Sequence, residues 1–322
     1  MKRFLVTVVG AMALAAPALA QTYPEKPVTI LVPAAAGGPS DTVTRIVADA
    51  MAKTLGGEIV IQNMGGAGGT LGAAQVAKAP ADGYTLLLYH IGVATSASLY
   101  ENLPYDPGEA FAGIGQVADV PMTVIARKDF EPADVGALIA HLRQNGSEVT
   151  YAHAGIGAAS HLCGMLLMQE IGTQLIEVPY PGTGPALTDV VGGQVDMICD
   201  QSTNTLGQIK SGEVKAYAVT TPDPVSVLPD LPTLDDSGMQ GFEVSAWHAL
   251  WAPKGTPPEA IETLSAALQK ALKDPAVVER LSDLGAQPAS QEQATPQALD
   301  KKLQSEIEKW AGVIEAAGVT KK

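Results

Sequence analysis

Aromatic side chains are scarce in this sequence, and Phe, Trp and Tyr together make up 5% of its 322 residues. Proteins that bind single-stranded nucleic acid stack the bases on such side chains. Basic residues are also outnumbered, because 20 Lys and Arg accompany 34 Asp and Glu and leave a formal net charge of −14. An acidic surface repels polyanions, so we expect no nucleic-acid partner.

Long apolar runs are missing beyond the N-terminus. The segment from Phe4 to Ala20 is apolar but shorter than the about 20 residues that a membrane-spanning helix needs. Lys2 and Arg3 precede it, and Ala18-Leu19-Ala20 matches a small-x-small cleavage site. These features predict a cleaved signal peptide over residues 1–20 and a periplasmic mature protein. An uncleaved membrane anchor is the alternative.

Cysteine occurs only at positions 163 and 199. This spacing fits no zinc motif, and the histidines add no ligand pattern, so we expect no metal and no cofactor. An oxidising compartment would permit a disulfide between Cys163 and Cys199 if their Cα atoms lie within about 7 Å. Two separate buried thiols are the alternative, and the sequence leaves both open.

Short apolar segments alternate with helical patterns along the rest of the chain. Val28–Pro33 predicts a strand, which is followed by a glycine-rich turn at 34–41 and a helix that ends near Leu55. The same order recurs over residues 149–171. This rhythm predicts an α/β fold with a mostly parallel sheet, and the length is sufficient for two domains.

Two glycine-rich turns form the predicted ligand site. A helix N-terminus exposes unpaired N–H groups and a partial positive charge, and glycine lets a ligand approach the backbone, so such turns bind anions. In open α/β sheets, ligands bind at the carboxyl ends of the strands. The candidates in the first turn are Ala36, Gly37, Gly38, Ser40 and Asp41, and those in the second are Gly155, Gly157, Ala158, Ser160 and His161.

Three further candidates follow apolar strands. His90 comes after the segment TLLLY, and Gln201 and Ser202 come after VDMIC and Asp200. Gln201 and Ser202 could donate hydrogen bonds to a distal carboxylate, although ordinary loop roles are an equal alternative. For His161 a structural hydrogen bond is the alternative role. For Asp41 a brace within the turn is the alternative, because its carboxylate repels an anionic ligand.

Five longer blocks resemble the Bug family, the extracytoplasmic receptors of tripartite tricarboxylate transporters. The blocks are VPAAAGGPSD, GGAGGTLGAAQVAKAPADGYTLLL, AHAGIGAASHL, VPYPGTGPALTDVVGGQVDMI and LPDLPTLDDSGMQGFEVSAWHALWAPKGTP. The resemblance implies two Rossmann-like lobes of the periplasmic binding protein type II-like class, with a ligand cleft between them. We expect residues 21–124 and 248–322 in the first lobe and residues 125–247 in the second.

The resemblance also implies that the chain is a receptor and not an enzyme. Its partners would be a small carboxylate, gripped by backbone amides of the two turns, and integral-membrane transporter subunits; we expect a monomer. Ala34–Ala36 and Ala158 stand where the family often has polar or aromatic residues, which favours a longer or more apolar dicarboxylate. A carboxylate-sensing receptor is one alternative. An extracytoplasmic α/β enzyme is another, and would need a nucleophile–base pair that the sequence does not reveal.

Overall fold

The computed structural model describes residues 23–322, so the predicted signal peptide at 1–20 lies outside the described residues. The strands are β1 (Val28–Val32), β2 (Ile59–Asn63), β3 (Thr85–Tyr89), β4 (Phe111–Arg127), β5 (Thr150–His153), β6 (Ile176–Pro179), β7 (Met197–Gln201), β8 (Val214–Val219), β9 (Ser245–Pro253) and β10 (Gln287–Pro288). The helices are α1 (Pro39–Leu55), α2 (Thr70–Ala77), α3 (Gly92–Leu99), α4 (Val135–Asn145), α5 (Ala159–Ile171), α6 (Thr183–Val191), α7 (Ser202–Ser211), α8 (Pro258–Ala271), α9 (Pro275–Asp283) and α10 (Pro296–Ala316).

The long strand β4 joins two halves of one sheet, whose main order is β2-β1-β3-β9-β4-β7-β5-β6. From Phe111 to Pro121 it pairs with β9, and from Met122 to Arg127 it pairs with β7 and β8. We call the half with β1, β2, β3, β9 and β10 the first lobe, and the half with β5 to β8 the second lobe. The α/β class with two Rossmann-like lobes is thereby confirmed.

The prediction of a mostly parallel sheet is wrong at the centre. Within the lobes, β1 is parallel to β2 and β3, and β5 is parallel to β6 and β7. However, β9 is antiparallel to both β3 and β4, and β4 is antiparallel to β7 and β8. The reason for the antiparallel pairing is the point at which the chain re-enters the first lobe. Strand β9 begins opposite Pro121, where β4 leaves that lobe, and runs in the opposite direction along β4.

The two chain segments that pass between the lobes are hydrogen-bonded to each other. Thr220 is fully buried, and its N–H donates to the Met122 carbonyl at 3.0 Å. Its hydroxyl oxygen lies 2.6 Å from the Val244 carbonyl. The Val244 N–H donates back to the Thr220 carbonyl at 3.2 Å. The connection between the lobes is therefore narrow and central.

Helices cover both faces of the sheet because their apolar stripes need burial. Leu264 and Leu268 of α8 are fully buried, and α8 packs on α1. The long helix α10 buries Leu299, Leu303 and Trp310 and packs on α3 and β4. Within residues 23–322, no helix combines the length and apolarity that crossing a bilayer requires.

Cys163 and Cys199 form a disulfide between α5 and β7, with their Cα atoms 6.1 Å apart. Both residues are fully buried. The bond closes a loop across 36 positions, which is a length at which a crosslink restricts the unfolded chain appreciably. It ties the helix that begins at the second glycine-rich turn to the strand that ends at Gln201.

Candidate functional site

A cavity of about 40 Å³ lies where the carboxyl ends of strands from both lobes meet. This is the position at which open α/β sheets bind ligands. We call it the central cavity. Its lining residues are Pro33, Ala34, Ala35, Gly38, Pro39, Ser40, Gly66, Gly68, Gly69, His90, Ala154, Ala158, Ala159, Ser160, Pro181, Gly182, Thr183, Asp200 and Gln201.

The predicted site residues divide into two groups. Those that line the central cavity are Gly38, Ser40, His90, Ala158, Ser160 and Gln201. Those that lie outside its lining are Ala36, Gly37, Asp41, Gly155, Gly157, His161 and Ser202. The two glycine-rich turns thus do face one another, but only part of each reaches the cavity.

The predicted site residues omit two other turns and one acid, whose neighbours Gln201 and Ser202 were preferred as the better donors. The loop Gly66–Gly69 precedes α2, the segment Pro181–Thr183 precedes α6, and Asp200 stands at the end of β7. Both turns carry the same strand–glycine–helix signal that selected the first two.

The helices that begin at the two predicted turns have free N-termini. The N-cap residues Gly38 of α1 and Ala158 of α5 provide no side-chain cap. By contrast, Asp134, Asp274 and Thr295 cap α4, α9 and α10 away from the cavity. The uncapped N–H groups and the helix dipoles give this part of the cavity a positive potential without a basic side chain.

Ser160 is arranged to donate a hydrogen bond. It is buried, and its hydroxyl oxygen accepts a hydrogen bond from the Ala154 N–H at 3.0 Å. That contact uses a lone pair and leaves the hydroxyl hydrogen free for a cavity ligand. The Tyr151 hydroxyl donates to the Ser160 carbonyl at 2.6 Å and holds the first turn of α5 against β5.

Ser40 lies at the opposite turn and is paired with a histidine. Its hydroxyl lies 3.0 Å from His248 Nε2, while His248 Nδ1 lies 3.0 Å from the Ala246 carbonyl. A carbonyl only accepts, so Nδ1 carries the proton and the Ser40 hydroxyl donates to Nε2. Burial lowers the pKa of His248 to about 4, so the imidazole is neutral at physiological pH.

His90 lines the cavity as a neutral donor. Its Nδ1 accepts a hydrogen bond from the Gly92 N–H at 3.0 Å, which places the ring proton on Nε2. Burial, with a smaller effect of His248, lowers the pKa of His90 to about 3. The ring can therefore offer an N–H to a ligand oxygen without adding charge.

Asp200 is the one ionisable acid among the lining residues. It is fully buried, and its Oδ2 accepts a hydrogen bond from Asn204 Nδ2 at 2.6 Å. Its Oδ1 makes no hydrogen bond within residues 23–322. Desolvation raises the pKa of Asp200 to about 6, against the opposing effects of Asn204, the Gln201 N–H and Thr183.

Asp41 braces the first turn from outside the cavity. Its Oδ2 accepts hydrogen bonds from the Gly37 N–H at 2.8 Å and from Arg45 Nε at 2.9 Å, and its Oδ1 accepts from Asn63 Nδ2 at 3.1 Å. Desolvation opposes ionisation, but these donors, Arg45 first among them, lower the pKa of Asp41. The carboxylate thus stays ionised and fully engaged.

His161 braces the second turn and faces outward. Its Nδ1 lies 3.4 Å from the Gly157 N–H, and its Nε2 lies 3.7 Å from Glu177 Oε1. The neighbouring His153 has the same arrangement, with Nδ1 accepting from the Gly155 N–H at 3.1 Å. Burial and the adjacent His153 lower the pKa of His161 to about 4. Across residues 23–322, no cluster of three acidic, histidine or cysteine ligands suits a metal.

The lobes touch directly at Gly68. A Cβ atom there would lie 1.8 Å from the Ile156 carbonyl oxygen, and Gly68 has a φ of +62°. The Tyr89 hydroxyl donates a hydrogen bond to the Gly68 carbonyl at 2.6 Å, and the Tyr100 hydroxyl donates one to the Ile156 carbonyl at 2.8 Å. The loop before α2 and the turn before α5 therefore close one side of the cavity.

Residues 43–319 match the sequence model of the tripartite tricarboxylate transporter family receptor, TctC. The chain belongs to this family. Among its relatives is the UPF0065 protein in the TAR-I ttuE-ttuC' intergenic region of Agrobacterium vitis, which is 56% identical over 98% of this chain and 92% of the relative. The resemblance to the Bug family is thereby confirmed, and BugT of Bordetella pertussis is 36% identical over 95% of this chain and 93% of its own length.

Three solved structures have the same fold. The periplasmic binding protein BugD is 51% identical, with a TM-score of 0.91 over 93% of this chain and all of its own. MatC from Rhodopseudomonas palustris, with bound malate, is 41% identical, with a TM-score of 0.88 over 91% of this chain and 100% of its own. The R. palustris protein Rpa4515 with adipate is 31% identical, with a TM-score of 0.89 over 93% of this chain and 100% of its own.

Proposed function

We propose that this protein is a periplasmic receptor that captures a small dicarboxylate in the central cavity and delivers it to the membrane subunits of a tripartite tricarboxylate transporter. The observation that carries the proposal is the pair of uncapped helix N-termini, on α1 and α5, which meet at the cavity from different lobes. The bound malate of MatC and the bound adipate of Rpa4515 support a carboxylate as the ligand.

The donors around the cavity suit a carboxylate. Three kinds of group can donate a hydrogen bond to a bound carboxylate. They are the free hydroxyl hydrogen of Ser160, the Nε2–H of His90 and the first N–H groups of α1 and α5. No Lys or Arg is among the described lining residues, so the helix dipoles and these donors provide the attraction. The ligand would bridge both lobes and thereby stabilise their closed arrangement.

The cavity volume favours a short ligand. About 40 Å³ is room for roughly three or four water molecules, so a short dicarboxylate is accommodated more easily than a long one. Together with Asp200 in the lining, this supports a shorter, more polar ligand than Ala34–Ala36 and Ala158 suggest, and the binding screen decides between the two.

The Ser40–His248 pair raises the enzyme alternative again, because a serine beside a histidine can act as a nucleophile with its base. Two features oppose that role. The pKa of His248 is lowered to about 4, so the ring is a weak base. Its Nδ1 faces the neutral Ala246 carbonyl, which stabilises an imidazolium less than a carboxylate would. Incubated ligand should therefore be recovered unchanged, as NMR spectroscopy would show.

A binding screen tests the proposal. We expect short dicarboxylates to raise the melting temperature, and calorimetric titration of the best one to show a Ser160→Ala variant weakened about tenfold through the lost donor. Ser305→Ala, an exposed serine on α10, is the matched control and should bind normally. Normal affinity in Ser160→Ala, or no response to any mono-, di- or tricarboxylate, would refute the assignment.

Delivery is tested separately from binding. Vesicles that contain the transporter's membrane subunits should accumulate radiolabelled ligand only when this receptor is added. Binding without accumulation would favour the alternative of a sensor that reports a carboxylate to a signalling partner.

A further inference from the structure

Two acceptor atoms at the end of β7 have no donor. Asp200 Oδ1 and Gln201 Oε1 are both buried, and neither makes a hydrogen bond within residues 23–322. Both residues line the central cavity. Buried polar atoms of folded proteins are paired in the large majority of cases, so two orphans in one cavity need an explanation.

The chemistry of the Asp200 side chain determines that the missing partner of Oδ1 is a hydrogen-bond donor. An ionised carboxylate only accepts hydrogen bonds, and exchanging its two oxygens does not create a donor, as it would in an amide. Asn204 Nδ2 donates a hydrogen bond to the other oxygen, Oδ2, at 2.6 Å. The Thr183 hydroxyl and the Gln201 N–H favour the ionised form, but neither reaches hydrogen-bond geometry with Oδ1.

The protein itself supplies no counter-charge at this end of the cavity. Among the described lining residues, His90 is the other titratable group, and burial keeps it neutral. His248 lies behind Ser40 and is neutral for the same reason. Tyr151, whose hydroxyl accepts a hydrogen bond from the Cys199 N–H at 3.3 Å, has its pKa raised by burial and also stays neutral. Since no lining side chain among the described residues supplies the donor, a group on the ligand or an ordered water would have to serve Asp200 Oδ1.

We propose that the ligand is a dicarboxylate that carries a hydroxyl or ammonium group, and that this group donates a hydrogen bond to Asp200 Oδ1, with Gln201 Oε1 as a second acceptor. The inference rests on the proposed function, since it assumes that a carboxylate occupies the cavity. Asp200 then determines specificity, because an unsubstituted dicarboxylate would leave the buried acceptor unpaired.

Ligands that differ by one group test this inference. Calorimetric titrations at neutral pH would compare succinate, L-malate, D-malate and L-aspartate, with the five-carbon set glutarate, L-2-hydroxyglutarate and L-glutamate beside them. We expect at least one substituted ligand to bind about 10- to 100-fold more tightly than the unsubstituted ligand of equal length. Preference for the hydroxy acid or for the amino acid then identifies the donor.

The Asp200→Asn variant connects that preference to the residue. Its amide keeps an acceptor for Asn204 and turns an N–H group toward the position of Oδ1, so the preference should fall to less than about threefold. The loss should be largest for an ammonium ligand, which cannot accept a hydrogen bond. Asp230→Asn, an exposed position in the second lobe with the same change of charge, is the control and should keep the full preference.

Two results would overturn the inference while leaving the proposed function intact. One is that succinate and glutarate bind as tightly as their substituted counterparts. The other is that Asp200→Asn retains the full preference. Failure of every carboxylate to bind would refute both proposals.

Discussion

At the scale of single residues, the main unfavourable feature is the burial of Asp200, an acid, in the central cavity. Desolvation is the largest influence on Asp200 and raises its pKa from 3.8 to about 6. The folded state therefore binds this proton more tightly than the unfolded state does. The stabilising contribution of the protonated form is complete below about pH 4 and is lost as the pH rises through about 6.

Replacing Asp200 with Asn should consequently stabilise the ligand-free protein at neutral pH. The shift of about two units sets an upper limit near 3 kcal/mol, and we expect about 1–2 kcal/mol because the site can relax. Urea unfolding of both proteins as a function of pH measures the difference, which should shrink toward zero near pH 4.

The exposed control Asp230→Asn should change stability by less than about 0.5 kcal/mol at either pH. We infer that Asp200 is retained for binding at the expense of stability. Destabilisation of the Asp200→Asn variant at neutral pH would contradict this inference.

At the scale of elements, the cavity is built from turns that begin helices. The turns before α1, α2, α5 and α6 all contribute lining residues, and each contains glycine. Among these glycines, the clash that a side chain would make is most severe at Gly68. At Gly68 a Cβ would meet backbone of the other lobe at 1.8 Å, whereas at Gly157 it would meet only ordinary contacts with side chains.

The Gly68→Ala variant should therefore weaken binding without unfolding the protein. Separating the two turns disfavours the closed arrangement, and we expect the affinity for the best dicarboxylate to fall at least about tenfold in calorimetric titration. Its positive φ adds a small loss of stability, which urea unfolding would measure.

Gly56→Ala is the matched control, because Gly56 has a φ of +66° and nothing within 4 Å of its added Cβ. It should lose similar stability and keep full affinity. Equal loss of affinity in both variants would show that backbone strain, and not the contact between the lobes, is responsible.

At the scale of the whole molecule, we propose that the two lobes, which are joined by hydrogen-bonded crossings, open and close. We propose that the lobes meet at Pro121–Met122 and at Val244–Ser245, within a few residues of the boundaries at 124/125 and 247/248 expected from the sequence, since β4 changes partners between Pro121 and Met122 and β9 begins at Ser245. Thr220 connects both crossings and can act as the fixed point of the motion.

Ligand binding should make the molecule more compact. Small-angle X-ray scattering is expected to show a smaller radius of gyration with the best dicarboxylate than without it. The decrease should be smaller in Gly68→Ala, in which the lobes cannot meet. Identical scattering with and without saturating ligand would contradict closure on binding.

Much of this protein could be predicted from local patterns. Apolar segments bounded by glycine predict β1, β3 and β5, because strand period is a local property. The turns after β1 and β5 are predicted to be anion sites for the same reason, and that role stays a prediction. Gly38, Ser40, His90, Ala158, Ser160 and Gln201 do line the cavity. The antiparallel β9 was not predicted, because strand direction depends on where the chain re-enters the sheet.

The sequence by itself determined the α/β class, the family and the helix N-termini that can hold an anion, since each depends on residues that are neighbours in the chain. Only the tertiary structure decided which residues meet. It paired Ser40 with His248, placed Gly68 against Ile156, and joined Cys163 to Cys199. It also buried Asp200 with a free oxygen, because burial and hydrogen bonding depend on contacts between distant segments.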